Sequence, residues 1–459
     1  MDINKIHTVY CIGIGGIGVS NLARYFKATG KQVSGYDLRP SALTQQLIDE
    51  GIDIHFTDNP TLIPFTSDNK NHVLVIYTPA IPADHRELNY LKTSGFTLMK
   101  RSQVLGMIAN QKETIAVAGT HGKTSVSGIL SFILFSSDLG CSAFLGGIAK
   151  NFNSNLVLQQ HSKYMLAEAD EFDRSFLHLF PKHAIITSVD ADHLDIYGKF
   201  QALIDSFADF AAQIQKGGTL LIKKNLHFDP KLQPDVKLFT YSIEEKADFY
   251  ADNIRIENGK FLFDLNIGDT KKVRDISLNI PGRVNMENAV AAASMAYLLG
   301  VNSQLIRNAI SNFKGIQRRF DYQIKTDDLI FIDDYAHHPK EIEATLLSLR
   351  ELYPKKKITG VFQPHLFSRT RDFANEFAQS LSLLDTIILL DIYPAREKPI
   401  EGISSALIFD KIKNKEKILC KKKDLPEIIA KHKPEFLITL GAGDIDRLVP
   451  VLKQILSEL

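Results

Sequence analysis

The sequence has only three cysteines, Cys11, Cys141 and Cys420, far apart and odd in number. That argues against a disulfide framework and fits a reducing compartment. Net charge is nearly absent: 54 Lys and Arg face 53 Asp and Glu, leaving +1. Bulk electrostatics therefore give no reason to expect nucleic acid or a membrane surface as a partner. No apolar run approaches membrane-spanning length, and the N-terminus lacks a charged-then-apolar leader pattern. A cytoplasmic protein with no membrane insertion is the expectation. Low-complexity segments and short repeats are missing as well. What is there is 459 residues with an apolar fraction of 44%, ordinary for a globular chain. That length predicts two or three domains.

The most informative stretch is 113–128. An apolar run, Thr114 to Ala118, reads as a buried parallel strand. It breaks at Gly119 into a turn and enters a helix after Gly122-Lys123-Thr124. Backbone N–H groups and the helix dipole converge at such a turn, which makes an anion site. Lys123 would reach the outer phosphates of a nucleotide, and the Thr124 hydroxyl would hold Mg²⁺. The general phosphate-loop pattern wants Gly where Val117 stands. A plain small-residue turn is the bland alternative on this stretch alone.

Residues 6–12 read as a strand, followed by Gly13, Gly15, Gly16 and Gly18 in Gly-Ile-Gly-Gly-Ile-Gly. A helix is predicted from about Ser20 to Ala28, then a strand, Gln32 to Tyr36, ending at Asp37. This is a dinucleotide fingerprint with an acidic residue at the expected distance. Taken alone it reads as an NAD site, as a cradle for another nucleotide diphosphate, or as a ligand-free turn. Val73 to Tyr77 is a third strand, ending at Thr78.

Later strands run into polar residues at their carboxyl ends. Tyr164 to Ala167 leads to Glu168, Asp170 and Glu171, and Ala184 to Thr187 leads to Asp190, Asp192, His193 and Asp195. In open parallel sheets ligands sit beyond those ends. Lys123, Thr124, Glu168 and His193 are thus expected at one sheet edge, as a Mg-nucleotide site. Asn258-Gly259 signals a hairpin. Pro281-Gly282-Arg283 starts a helix with Asn285 and Asn288 on one face.

Gly315 to Phe320 reads as a hinge. Beyond it, strand Leu329–Ile332 ends at Asp333-Asp334-Tyr335-Ala336-His337-His338-Pro339, and strand Ile358–Phe362 ends at a run containing His365, Leu366 and Arg369. Capping or substrate contact is a simpler reading of the His pair than metal, because no third ligand lies at metal-site spacing.

These motifs, in this order, resemble the Mur ligases and their folylpolyglutamate synthetase relatives along the whole chain. Gly-Thr-His-Gly-Lys-Thr, Glu-Ala-Asp-Glu, Ala-Asp-His-Leu-Asp, Arg-Arg-Phe-Asp, Asp-Asp-Tyr-Ala-His-His-Pro and Gln-Pro-His carry the likeness. The resemblance implies an α/β chain of three domains. They are a Rossmann-like N-terminal domain for a UDP-sugar (1–105), a central P-loop ATPase-like domain for ATP (106–318) and a C-terminal Rossmann-like domain for the amino acid and closure (319–459). It turns the first glycine loop into a uridine diphosphate cradle of Gly13, Gly15, Gly16, Gly18, Asp37 and Thr78. It assigns ATP to Gly119, Thr120, His121, Gly122, Lys123, Thr124, Ser125, Asn285, Asn288, Arg319 and Asp334. Two Mg²⁺ ions are implied at Thr124, Glu168 and His193, with Lys123, His193 and Arg319 in catalysis. Tyr335, His337 and Arg369 match an L-alanine pocket. The implied reaction is ATP-dependent ligation of L-alanine to UDP-N-acetylmuramate through an acyl phosphate. Val284 and Leu366 depart from the pattern of the alanine-adding members. The rivals are an NAD-dependent dehydrogenase and a non-catalytic ATP-binding switch.

Overall fold

The computed structural model describes residues 3–191, 194–395, 397–414 and 416–458. The chain divides into two compact units: residues 1–252, 264–276 and 288–313, and residues 253–263, 277–287 and 314–459. Among the described residues, no helix is long and apolar enough to cross a membrane.

The first unit holds two sheets. The N-terminal one has five parallel strands in the order Asp53–His55, Gln32–Tyr36, Thr8–Ile12, Val73–Tyr77 and Thr97–Lys100. This is the doubly wound order, in which the central strand carries the glycine turn and a ligand crevice opens beyond the carboxyl ends. The helix after the turn is Ile17–Ala28, three residues earlier than the sequence predicts, because Gly16 serves as its N-cap. Helix Arg101–Ala109 runs through residues 105 and 106, where the first two domains are expected to meet.

The second sheet is built around Glu113–Ala118, flanked by His183–Ile186 and Tyr164–Glu168, all parallel. Thr219–Lys223 and Lys237–Ser242 extend it on one side, and Ser142–Ala149 on the other. The Ser154–Val157 strand joins antiparallel at that edge. Its centre is apolar throughout: Ile115, Ala116, Val117 and Ala118 are fully buried. Such a near-continuous apolar run is what a strand covered on both faces requires. Farther along, Phe249–Glu257 and Lys260–Ile267 are joined at Asn258 and Gly259, whose φ angles of 51° and 69° make the predicted turn.

The second unit has a six-stranded sheet ordered Asp321–Lys325, Ile330–Asp334, Phe436–Leu440, Thr359–Phe362, Thr386–Leu390 and Glu416–Cys420. Only the first pair is antiparallel. The second strand does not end at Ile332, where the sequence predicts its end. The strand continues two residues past Ile332, so Asp333 and Asp334 pair with Thr439 and Leu440 inside the sheet. Both carboxylates are buried, at 2% and 6% exposure. Their local partners, described below, are what let two acids follow an apolar strand inward.

Candidate functional site

The Glu113–Ala118 strand delivers its chain to Gly119, and helix Lys123–Phe135 leaves from Gly122. Both glycines are in the left-handed region, at φ 131° and 85°. A Cβ on Gly119 would lie 2.1 Å from Thr187 Oγ1, and one on Gly122 would lie 2.6 Å from Asn288 Oδ1. No other residue type fits either position without displacing a neighbour.

The neighbouring strand end holds the loop from the side. Thr120 Oγ1 and Ser188 Oγ are 2.9 Å apart, the His121 N–H donates to Ser188 Oγ at 2.9 Å, and the Asp190 N–H donates to Thr120 Oγ1 at 3.1 Å. The Thr187 hydroxyl donates to the His121 carbonyl. Thr187 and Ser188 were not singled out from the sequence. Their only signal was position at a strand end beside the loop.

Lys123 Nζ donates to the Gly119 carbonyl and to Glu171 Oε2, both at 2.7 Å. Glu171 is fully buried. Burial by itself lowers the pKa of the Lys123 ammonium, but Glu171, with Asp170 and Glu168 beyond it, outweighs burial and raises it. The lysine is therefore kept charged inside the protein. The sequence placed Glu171 in an acidic cluster without marking it as the lysine's partner.

Thr124 Oγ1 donates to Glu168 Oε1 at 3.1 Å, and the Gly146 N–H donates to Glu168 Oε2 at 3.0 Å. Two of the expected metal ligands are thus adjacent. The third, His193, lies outside the described residues, as does Asp192. Ser125 lies half-buried in the first turn of the helix. Asn288 is buried against Gly122. Asn285 instead turns its amide back, donating to the Pro281 carbonyl at 2.8 Å.

In the N-terminal loop the Gly13 and Ile14 N–H groups donate to the Tyr36 carbonyl at 2.8 and 3.0 Å. The Gly15 N–H donates to Asp37 Oδ2 at 2.8 Å. Asp37 thus ties the loop to the next strand end. Gly16, Gly18 and Thr78 reach a cavity of about 280 Å³, which Arg101, Gly146, Glu168 and Asp170 also line. Gly13, Gly15 and Asp37 shape the loop behind it.

In the second unit, Asp334 accepts from the Phe320 and Ala336 N–H groups, each at 2.8 Å. Burial nevertheless pushes its carboxyl up to about 6, against the pull of Arg319 and those two N–H groups. Asp333 is raised for the same reason, with Arg318 and Thr439 opposing. The Arg318 and Arg319 guanidiniums lie 5.1 and 4.9 Å from the Tyr335 ring centre, within cation–π range. Tyr335 meets the His337 ring edge-on at 5.1 Å, and His337 meets His365 at 5.8 Å. His338 is the N-cap of helix Pro339–Leu352, as the capping reading expected. Arg369 is buried in helix Phe367–Asp372. Leu366 precedes that helix at φ 73°, with its N–H donating to the Tyr393 carbonyl at 3.0 Å. In the same helix Arg371 pairs with Asp372 at 2.7 Å.

Family models described as "Mur ligase family, catalytic domain", "Mur ligase middle domain" and "Mur ligase, glutamate ligase domain" match residues 8–113, 117–296 and 318–442. A Parabacteroides distasonis protein described as UDP-N-acetylmuramate–L-alanine ligase is 52% identical over 458 residues, covering 100% of this chain and 99% of that protein. One of the same description from Phocaeicola vulgatus is 49% identical over 459 residues, covering 100% of both. The crystal structure of a UDP-N-acetylmuramate–alanine ligase from Thermotoga maritima shares the fold with a TM-score of 0.83, at 24% identity over 98% of both chains. With all three domain models matched in order and about half of the residues shared with relatives of equal length, the chain belongs to the Mur ligase family.

Proposed function

We propose that the chain ligates L-alanine to the lactyl carboxylate of UDP-N-acetylmuramate at the expense of ATP, in cytoplasmic peptidoglycan precursor synthesis. The products are ADP, phosphate and UDP-N-acetylmuramoyl-L-alanine. One observation carries the reading. Glu168 touches Thr124 of the phosphate loop, and it lines the same cavity as Gly16, Gly18 and Thr78 of the first glycine loop. Two anion-binding turns therefore open toward one carboxylate. A dehydrogenase has no use for the second turn.

The labour divides among residues 1–105 for the UDP-sugar, 106–318 for ATP and 319–459 for the amino acid. Gly13, Gly15, Gly16, Gly18, Asp37 and Thr78 form the UDP cradle. The loop Gly119 to Ser125 takes the ATP phosphates, through N–H groups other than those of Thr120 and His121, which already bond Ser188, with Asn285 and Asn288 on the base side. The Thr124 hydroxyl and Glu168 carboxylate are hard oxygen donors, the set that Mg²⁺ prefers. Two ions fit the proposal, one at Thr124 and one at Glu168 with His193. When bound, Mg²⁺ neutralises phosphate charge and polarises the transferring group.

A carboxylate is a poor electrophile, so it must be activated first. The lactyl oxygen attacks the γ-phosphorus, forming an acyl phosphate as ADP leaves. Such transfers depend on positioning and charge neutralisation. Lys123 supplies the charge, held ionised by Glu171 until phosphate competes for it. Arg319 and Asp334 serve phosphate and ribose. The alanine amine then attacks the acyl carbon and phosphate departs. Tyr335 and His337 frame the alanine, and Arg369 anchors its carboxylate, a bidentate task that a lysine cannot copy.

Phosphate release from ATP, measured with each substrate omitted in turn, tests the proposal. It should require UDP-N-acetylmuramate and L-alanine together. Equal release without L-alanine, or tight NAD binding that displaces the UDP-sugar, would refute it.

A further inference from the structure

Arg101 is the first residue of helix Arg101–Ala109, and its side chain lines the cavity shared by the glycine loop and Glu168. It is the only cation among the described residues that line this cavity. Its side chain is 20% exposed. A guanidinium has five N–H donors. Among the described residues, its hydrogen bond is a single contact from Nη2 to Asp170 Oδ2 at 3.5 Å, the outer limit for such a bond. An ion pair of that length to a half-exposed carboxylate contributes little to stability. The donors are thus presented to the cavity while most remain unspent.

The position of the side chain is also fixed from below. It lies across Gly18, where a Cβ would be 2.7 Å from Arg101 Cδ and 2.8 Å from Nη1. Gly18 belongs to the first turn of the twelve-residue helix Ile17–Ala28. Early N–H groups of that helix and the planar fork of Arg101 converge on one volume. The third glycine of the fingerprint ordinarily admits close packing of helix on strand. Here it admits a guanidinium.

We infer that Arg101 is a substrate-binding residue for the diphosphate of the uridine nucleotide, which it takes in exchange for Asp170. This deepens the UDP-sugar reading above and rests on it. A diphosphate offers paired oxygens that match the fork, and charge-assisted bonds of this kind are the strong ones.

Calorimetric titration of the full chain with uridine, UDP, UDP-N-acetylglucosamine and UDP-N-acetylmuramate tests the inference. In Arg101→Ala the three diphosphates should bind about 10- to 100-fold more weakly, the loss of one charged hydrogen-bonded contact. Uridine binding and the ATP KM should stay unchanged. Arg101→Lys should recover only part of the loss. Arg101→Gln keeps most of the stem over Gly18 and removes the charge, so it gives the same answer if the alanine variant does not fold. UDP bound equally by wild type and variants would overturn the inference. Weakening confined to UDP-N-acetylmuramate would also overturn it, assigning Arg101 to the lactyl carboxylate. Failure of the wild type to bind UDP at all would instead strike the underlying reading of the cradle.

Discussion

The two glycine turns of the first unit, residues 13–18 and 119–124, share one backbone plan. Each leaves a buried parallel strand, turns through glycines and feeds a helix. They differ in how they are held and in where their cation comes from. The first turn is fixed mainly by its own neighbour strand, through the Tyr36 carbonyl and the Asp37 carboxylate. The second is held by Thr187 and Ser188, and carries Lys123 within the motif, locked to a fully buried Glu171. The first loop has no basic residue of its own, and the cation that reaches it, Arg101, arrives from a distant helix. On the proposed reading, the shared backbone accounts only for anion binding, and the side chains around it decide which anion is held and whether it reacts.

That contrast can be broken most sharply at Lys123. Removing one preorganised charge contact to a transition state typically costs ~10²–10³ in rate. Lys123→Ala should therefore lose turnover on that scale while UDP binding at the first loop is retained. Steady-state rates alongside a UDP titration check both halves. Next comes Glu171→Gln. Breaking a buried pair leaves an uncompensated charge and costs about 3–5 kcal/mol. Urea unfolding should show a loss of that order, and pairing the change with Lys123→Ala should recover part of it.

Alanine substitutions compare the turns directly. At Gly119 a Cβ meets Thr187 Oγ1 at 2.1 Å and the Ser188 backbone nitrogen at 2.9 Å, with φ at 131°. At Gly18 the three nearest atoms all belong to the Arg101 side chain rather than to backbone. Gly119→Ala should lower the thermal midpoint clearly, and Gly18→Ala much less while weakening UDP binding. Equal destabilisation would remove the distinction.

A smaller effect comes from Asp334. Its folded pKa of about 6 is raised, so the group holds its proton to higher pH than an exposed carboxyl does. Ionisation therefore costs stability as pH rises from the usual carboxylate range to about 6, and that cost is absent at lower pH. The proposed ribose contact wants the anion. Hence kcat/KM for ATP should fall below pH 6, by up to about tenfold per unit. Asp334→Asn should have a lower plateau without that step.

Much of this was legible in the sequence because it was local. Apolar runs marked the strands at Thr114 to Ala118 and Val73–Tyr77, and Asn258-Gly259 marked its turn. Lys123 and Thr124 were readable because loop and cation are contiguous. Glu171 and Arg101 were not, since each acts on a partner brought near only by the sheet order. The strand through Asp334 was cut short because two acids argue against burial. Only the fold reveals the Phe320 and Ala336 N–H groups that donate to Asp334 and the Arg318 guanidinium that donates to Asp333. The short strands Asp53–His55 and Ser154–Val157 lie at sheet edges, where no continuous apolar run is needed.

In the proposed reaction the lactyl carboxylate takes the phosphoryl group from ATP held at the second turn. Isotope transfer reports that step. UDP-N-acetylmuramate labelled with ¹⁸O in the lactyl carboxylate should, on turnover with ATP and L-alanine, deliver one labelled oxygen to each inorganic phosphate released. Unlabelled phosphate formed at the same rate as product would contradict the account.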